Sequence, residues 1–221
     1  MDLTRQDEAV VRAAYDEVAD FYADRFPATG PELPIELAMI AQFASLLPEP
    51  RHVLDAGCGA GRMLPVLANH GCLVEGVDLS PAMMRRAQRD HPTFTTQTAS
   101  LTNLPFPDAS FDGYFSWYST IHSPDQDLPQ IFSEAQRVLR PGGLLIAAFQ
   151  SGRGALDVSA AYRRHGFDIT LERFARTPSF LASVMRDAGL HEVVKLERQP
   201  TSSERDSRAV LIARQGSSTY A

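Results

Sequence analysis

The apolar pair Val53-Leu54 runs directly into Asp55-Ala-Gly-Cys-Gly-Ala-Gly61, and no other stretch of the chain constrains its fold as tightly. A strand that ends in three alternating glycines has to turn sharply, because glycine accepts a positive φ and lets backbone approach a ligand closely. Arg62 then narrows the choice of ligand. A dinucleotide fingerprint has its third glycine at that position, and a side chain this large argues against close packing over a pyrophosphate. Asp55 adds a carboxylate at the mouth of the turn. It would repel phosphate and favour a cationic group.

Residues 72–77, Cys-Leu-Val-Glu-Gly-Val, read as a second strand that ends at Asp78, 21 residues beyond Gly57. An acid at about that distance is placed to accept hydrogen bonds from ribose hydroxyls. S-adenosylmethionine (SAM) carries a sulfonium, an α-ammonium and a ribose but no phosphate, which matches these residues. The glycine loop, the acid before it and the acid after the second strand together resemble the class I SAM-dependent methyltransferases.

The resemblance continues in order along the chain. Leu104-Pro-Phe-Pro-Asp-Ala-Ser-Phe-Asp112 resembles the segment between strands three and four in the small-molecule branch of that family, which includes ubiquinone and menaquinone C-methyltransferases and sugar N-methyltransferases. Val138-Leu-Arg-Pro-Gly-Gly143, with the apolar run 144–149, is similar to the helix end, turn and fifth strand that follow. Tyr15-Asp-Glu-Val-Ala-Asp-Phe-Tyr22 resembles the opening helix, whose tyrosines close over the methionine end of SAM. Position 100 departs from the pattern. The family commonly has an acid there that reads the adenine amino group, and this chain has Ser100.

This resemblance implies an α/β, Rossmann-like, doubly wound seven-stranded sheet with an antiparallel C-terminal hairpin. It implies a single domain over residues 1–221, with a helical lid over 1–48 and a cap insertion near 150–178. The implied cofactor is SAM, with S-adenosyl-L-homocysteine as product. Its expected contacts are Tyr15 and Tyr22 from the lid; Asp55, Gly57, Cys58, Gly59 and Gly61 from the turn; Asp78, Leu79 and Met83 after strand two; Ser100 and Leu101 at the adenine edge; and Ser116.

Composition supports one α/β domain. At 221 residues and 44% apolar content the chain can bury a single core with a modest cap. A net charge of −6 argues against generic nucleic-acid binding, which calls for a basic face. Arg85, Arg86 and Arg89 cluster on one predicted helix, where they read as a solvated face. The two cysteines, Cys58 and Cys72, have no zinc or redox spacing and fit reduced thiols in a cytoplasmic protein. The start of the chain is polar and acidic, unlike a signal peptide, and no apolar run approaches the roughly 20 residues of a membrane span.

The pattern predicts helices over 5–24 and 34–47, then strand 52–56, helix 61–69, strand 72–77, helix 81–90, strands 93–98 and 112–117, helix 126–139 and strand 143–149. A helix over 178–188 and strands near 191–198 and 208–214 follow, and the tail from Gln215 reads as frayed. Such alternation places ligand chemistry at the carboxyl ends of a parallel sheet.

Methyl transfer from an activated sulfonium asks the protein to align the reactants, exclude water and, for some nucleophiles, remove a proton. Trp117 and Tyr118 follow the fourth strand and could wall an apolar or aromatic acceptor. His122 is the candidate base, on the premise of an imidazole near its ordinary pKa. The remaining histidines, at 52, 70, 91, 165 and 191, read as ordinary. His122, Asp125 and Asp127 are expected to cap the helix near 126 and to hold no metal. The expected function is SAM-dependent methyl transfer to a small molecule. The alternatives are an NAD-dependent oxidoreductase and a non-catalytic SAM-binding protein. The acceptor, the atom methylated and the oligomeric state are open, with substrate choice assigned to residues 1–35 and 150–178.

Overall fold

The computed structural model describes residues 6–216. The chain opens with α1 (Glu8–Arg25) and α2 (Pro34–Leu46). Asp7 starts α1 by accepting the Val10 amide at 3.0 Å, and Glu36 reaches back to the Leu33 amide at 2.7 Å to start α2. Then come β1 (His52–Ala56), α3 (Leu64–Asn69), β2 (Leu73–Asp78), α4 (Pro81–Asp90), β3 (Thr95–Thr98), β4 (Phe111–Trp117), α5 (Leu128–Val138) and β5 (Leu139–Ser151). A small pair, β6 (Gly154–Asp157) and β7 (Glu172–Ala175), flanks α6 (Ser159–Arg163). The chain then forms α7 (Pro178–Asp187), β8 (Leu190–Arg198) and β9 (Ser207–Gln215).

The main sheet has seven strands in the order β3-β2-β1-β4-β5-β9-β8. The first five are parallel, and β9 runs antiparallel between β5 and β8, as expected of the Rossmann-like fold with a closing hairpin. The strand order reverses between β1 and β4, so their carboxyl ends open a crevice for a ligand. Side chains alternate across β4: Tyr114 joins a core with Ile131, Phe132, Leu181 and Met185 of α5 and α7. Phe115 and Trp117 join Ile40, Phe43 and Leu67 of α2 and α3 on the other face.

Several boundaries differ from the sequence expectation. The helix expected from 61 begins at Leu64, because the preceding residues belong to the turn. The helix expected from 126 begins at Leu128, where Pro129 sets the first turn. Neither nearby acid caps it: Asp127 makes no side-chain cap bond, and Asp125 instead pairs with Arg176 at 2.7 Å. Gln215 is not frayed but buried at the end of β9, its amide donating to the carbonyls of Gln136 and Leu139. The rest of the tail expected to fray, 217–221, and the expected helix start at residue 5 lie outside the described residues.

Arg86 also departs from a simple solvated face. It bonds Asp20, Asp24 and Asp90, and so ties α4 to α1. Asp16 strengthens the same contact by accepting the Ser80 hydroxyl at 2.6 Å and the Ala82 amide at 3.0 Å. These bonds hold α1 across the carboxyl ends of the sheet. Among the described residues, no helix is long and apolar enough to cross a membrane.

Candidate functional site

A cavity of about 480 Å³ lies at the carboxyl ends of β1, β2 and β4, within the size range of small-molecule sites. The glycine turn forms part of its wall. Gly57 has φ 80°, and a Cβ there would lie 2.3 Å from the Cβ of Ser119, so the turn after β1 and the loop after β4 touch through a missing side chain. Gly59, at φ 54°, has nothing within 4 Å of the place a Cβ would occupy and leaves room at the cavity. Gly61 does not line the cavity, and a Cβ there would lie within about 3 Å of Leu64 and His91.

Arg62 is folded against the protein. It makes a two-pronged bond to Glu32, at 2.8 and 2.9 Å, and donates to the Ala28 carbonyl at 2.8 Å. The indole nitrogen of Trp117 donates to the same Glu32 carboxylate at 3.0 Å. One buried acid thereby joins the segment after α1, the glycine turn and the end of β4. Sequence reasoning missed Glu32, whose only signal was an acid between Pro31 and the apolar Leu33.

The two acids of the turn have different surroundings. Asp78 accepts the Gly59 amide through Oδ2 and the Ser80 amide through Oδ1, both at 2.9 Å. It shapes the turn as well as lining the cavity. Asp55 is 1% exposed, and its Oδ2 is buried without a hydrogen-bond partner. Burial pushes its pKa up to about 8, with Asp78 adding to the rise and Arg62 opposing it. A cationic donor would satisfy both the orphaned oxygen and the charge.

Tyr15 and Tyr22 lie two helical turns apart on α1, with ring centroids 5.6 Å apart in an edge-to-face arrangement, and both line the cavity. Burial raises both phenol pKa values, so both rings stay protonated at neutral pH. Tyr15 also meets the His122 ring edge-on at 5.6 Å.

His122 is buried, and its Nδ1 lies 2.6 Å from the Glu172 carbonyl. A carbonyl can only accept, so Nδ1 carries the proton and the lone pair sits on Nε2. Burial, with Arg173 and Arg176 nearby, lowers its pKa to about 4 against the opposing pull of the Glu172 carbonyl. The ordinary pKa on which its candidacy rests does not hold. Its loop is clamped by Arg176, which donates to the carbonyls of Thr120 and Ser123. Gln6 completes the clamp, donating to the carbonyls of His122 and Glu172 and accepting the Glu172 amide.

Cys58, Leu79, Met83 and Leu101 line the cavity, as do Trp117 and Tyr118. Trp117 stacks on Phe115 at 5.3 Å, and Tyr118 holds a positive φ of 59° with its hydroxyl buried and unpartnered. Ser100 and Ser116 do not line it: Ser100 bonds Glu8, and Ser116 bonds Ser119 at 2.6 Å. His91, read as ordinary from the sequence, does line it. Among the described residues no cluster of three or more His, Cys, Asp or Glu side chains could hold a metal ion.

Residues 53–143 match the family described as the methyltransferase domain. A malonyl-[acyl-carrier protein] O-methyltransferase of Erwinia pyrifoliae is 33% identical over 126 residues, covering 57% of this chain and 47% of the relative. A 2-methyl-6-phytyl-1,4-hydroquinone methyltransferase of Synechocystis is 36% identical over 115 residues, 49% of this chain and 36% of the relative. The chain thus spans less than half the length of these curated relatives. The 1,6-didemethyltoxoflavin-N1-methyltransferase of Burkholderia thailandensis, solved with 1,6-didemethyltoxoflavin and S-adenosylhomocysteine, has a TM-score of 0.69 at 21% identity, covering 94% of this chain and 88% of that one. At that identity the likeness establishes the shared fold.

Proposed function

We propose that the chain, whose residues 53–143 match the methyltransferase domain, is a class I SAM-dependent methyltransferase that transfers a methyl group from SAM to a small-molecule acceptor by in-line displacement. The observation that carries the reading is the Asp55 carboxylate, buried with one oxygen unpartnered beside a glycine turn that lines the cavity. An α-ammonium supplies the missing donor and, by displacing the proton that burial keeps on Asp55, a partner for its charge, whereas a phosphate gains no such ion pair.

When bound, SAM supplies a methyl group already activated by the sulfonium. The protein's part is to bind, orient and keep water out. Asp55 would hold the ammonium, and the spare lone pairs of Asp78 would take the ribose hydroxyls. Leu79, Met83 and Leu101 offer apolar surface for the adenine, while Tyr15 and Tyr22 cover the methionine end. Trp117 is committed through its nitrogen to Glu32, so it and Tyr118 serve the acceptor as walls.

His122 offers the Nε2 lone pair to a proton on the acceptor. With a pKa of about 4 it orients that proton well but drives its removal weakly. An acceptor that arrives deprotonated, or whose nucleophilic atom carries no proton, suits this site better than an alcohol.

Incubating the protein with methyl-labelled SAM and a small-molecule extract tests the reading. Label appearing in a small-molecule product supports it. SAM binding without any labelled product would favour a non-catalytic SAM-binding protein, and binding of NADH in place of SAM would favour the oxidoreductase that Arg62 and Asp55 argue against.

A further inference from the structure

Leu79, after β2, and Leu101, after β3, line the cavity together with residues from the first turns of α1. Val11 and Glu8 line the cavity with these two leucines, although Glu8 stands 92 residues from Ser100 in the chain. Ser100 itself does not reach the cavity. Its hydroxyl donates to Oε1 of Glu8 at 2.5 Å, and the Thr102 hydroxyl lies 2.7 Å from Ser100 Oγ and 3.2 Å from the same Glu8 oxygen. The Thr102 amide donates to Ser100 Oγ at 3.0 Å, so the amide and hydroxyl of Thr102 together hold the Ser100 hydroxyl that faces the Glu8 carboxylate. Oε2 of Glu8, an exposed residue at the cavity wall, takes no part in these bonds.

Resting on the SAM reading of this cavity, we infer that Glu8 supplies, from the lid helix, the carboxylate that reads the 6-amino group of adenine, with Ser100 and Thr102 as the positioning pair that aims it. The structure brings an acid from α1 to the turn that holds Ser100. A carboxylate oxygen accepts from an amino group, whereas the 6-oxygen of a 6-oxo purine only accepts and that purine's N1–H donor lies one ring position away. Selectivity at the 6-position therefore resides in the helix that covers the cofactor. Seating α1 and recognising the purine become one event. The neighbouring acid Asp7 is committed to the Val10 amide, and Asp127, which also lines the cavity, serves as the control.

Calorimetric titration of the full chain with S-adenosylhomocysteine and with S-inosylhomocysteine tests this. Wild type and Asp127→Asn should prefer the amino purine by about tenfold or more, as expected for losing one hydrogen bond to a charged acceptor. Glu8→Ala should abolish the preference, and adding Ser100→Asp to Glu8→Ala should restore it. Equal weakening of both ligands by Glu8→Ala would show that Glu8 only seats the helix and would overturn the inference. So would a wild type without preference, or a preference unchanged in Glu8→Ala. A wild type that binds neither nucleoside would contradict the proposed function itself, and this inference with it.

Discussion

Asp78 Oδ2 accepts the Gly59 amide at 2.9 Å, so the acid that ends β2 is also the clasp that shapes the turn after β1. Asp78→Ala should therefore do two things. It should weaken SAM binding by roughly tenfold to 150-fold, the worth of a charged hydrogen bond of about 1.5–3 kcal/mol. It should also lower stability, because the Gly59 and Ser80 amides lose their acceptor. Titration calorimetry and urea unfolding measure the two effects separately. Unchanged SAM affinity in a folded variant would remove Asp78 from the ribose site.

Glu32 holds Arg62 and Trp117 together inside the protein, with its own side chain fully buried. Removing one partner of a buried ion pair leaves the other charge uncompensated, so Glu32→Ala should cost roughly 3–5 kcal/mol. Glu32→Gln should cost less. Trp117 is the single tryptophan, which makes its fluorescence a clean reporter during urea unfolding. A Glu32→Ala variant as stable as wild type would contradict the network.

His122→Ala should lower kcat while leaving SAM affinity nearly intact. A positioned general base is worth roughly 100-fold to 10,000-fold, and a histidine whose pKa is about 4 should fall at the low end. The rate should show no histidine titration between pH 6 and 8, because the ring is already neutral there. Saturating-substrate kinetics across that range check both points. An activity loss of only a fewfold would make His122 an anchor of its loop.

Asp55 sets a pH dependence of the opposite sign from that of His122. Its folded pKa, about 8, lies above the unfolded value near 4, so the folded chain keeps a proton that the unfolded chain releases. Its contribution to stability is present at low pH and is lost as pH rises from about 4 to about 8. For His122 the folded pKa is below the unfolded value near 6.5, so stability is lost as pH falls from there towards 4. Asp55→Asn should flatten the decline seen in urea unfolding between pH 5 and 8.5. In wild type, binding the SAM ammonium at pH 7 should expel roughly one proton, read from calorimetry in buffers of different ionisation enthalpy. Parallel pH profiles for the two proteins would sink this assignment.

The parallel sheet and the glycine turn were legible because both are local. An apolar strand, three glycines and an acid after the next strand carry their own spacing, and the helices expected from residues 81 and 178 start there in the structure. What escaped is long-range. Asp125 reads as a helix cap until Arg176, 51 residues away, is seen to hold it. Gln6, Glu32 and Glu8 reach His122, Trp117 and Ser100 across even greater separations, and no periodicity marks such pairs. The tautomer and low pKa of His122 depend on the Glu172 carbonyl and on burial, neither of which a residue type discloses.

The most direct measurement is a calorimetric titration of the wild-type chain with SAM, repeated in the presence of NADH and on Asp55→Asn. Stoichiometric SAM binding that NADH does not displace, weakened at least tenfold by the substitution, is the expected result. Absence of SAM binding, displacement of SAM by NADH, or an Asp55→Asn variant that binds SAM as tightly as wild type would contradict the site as described.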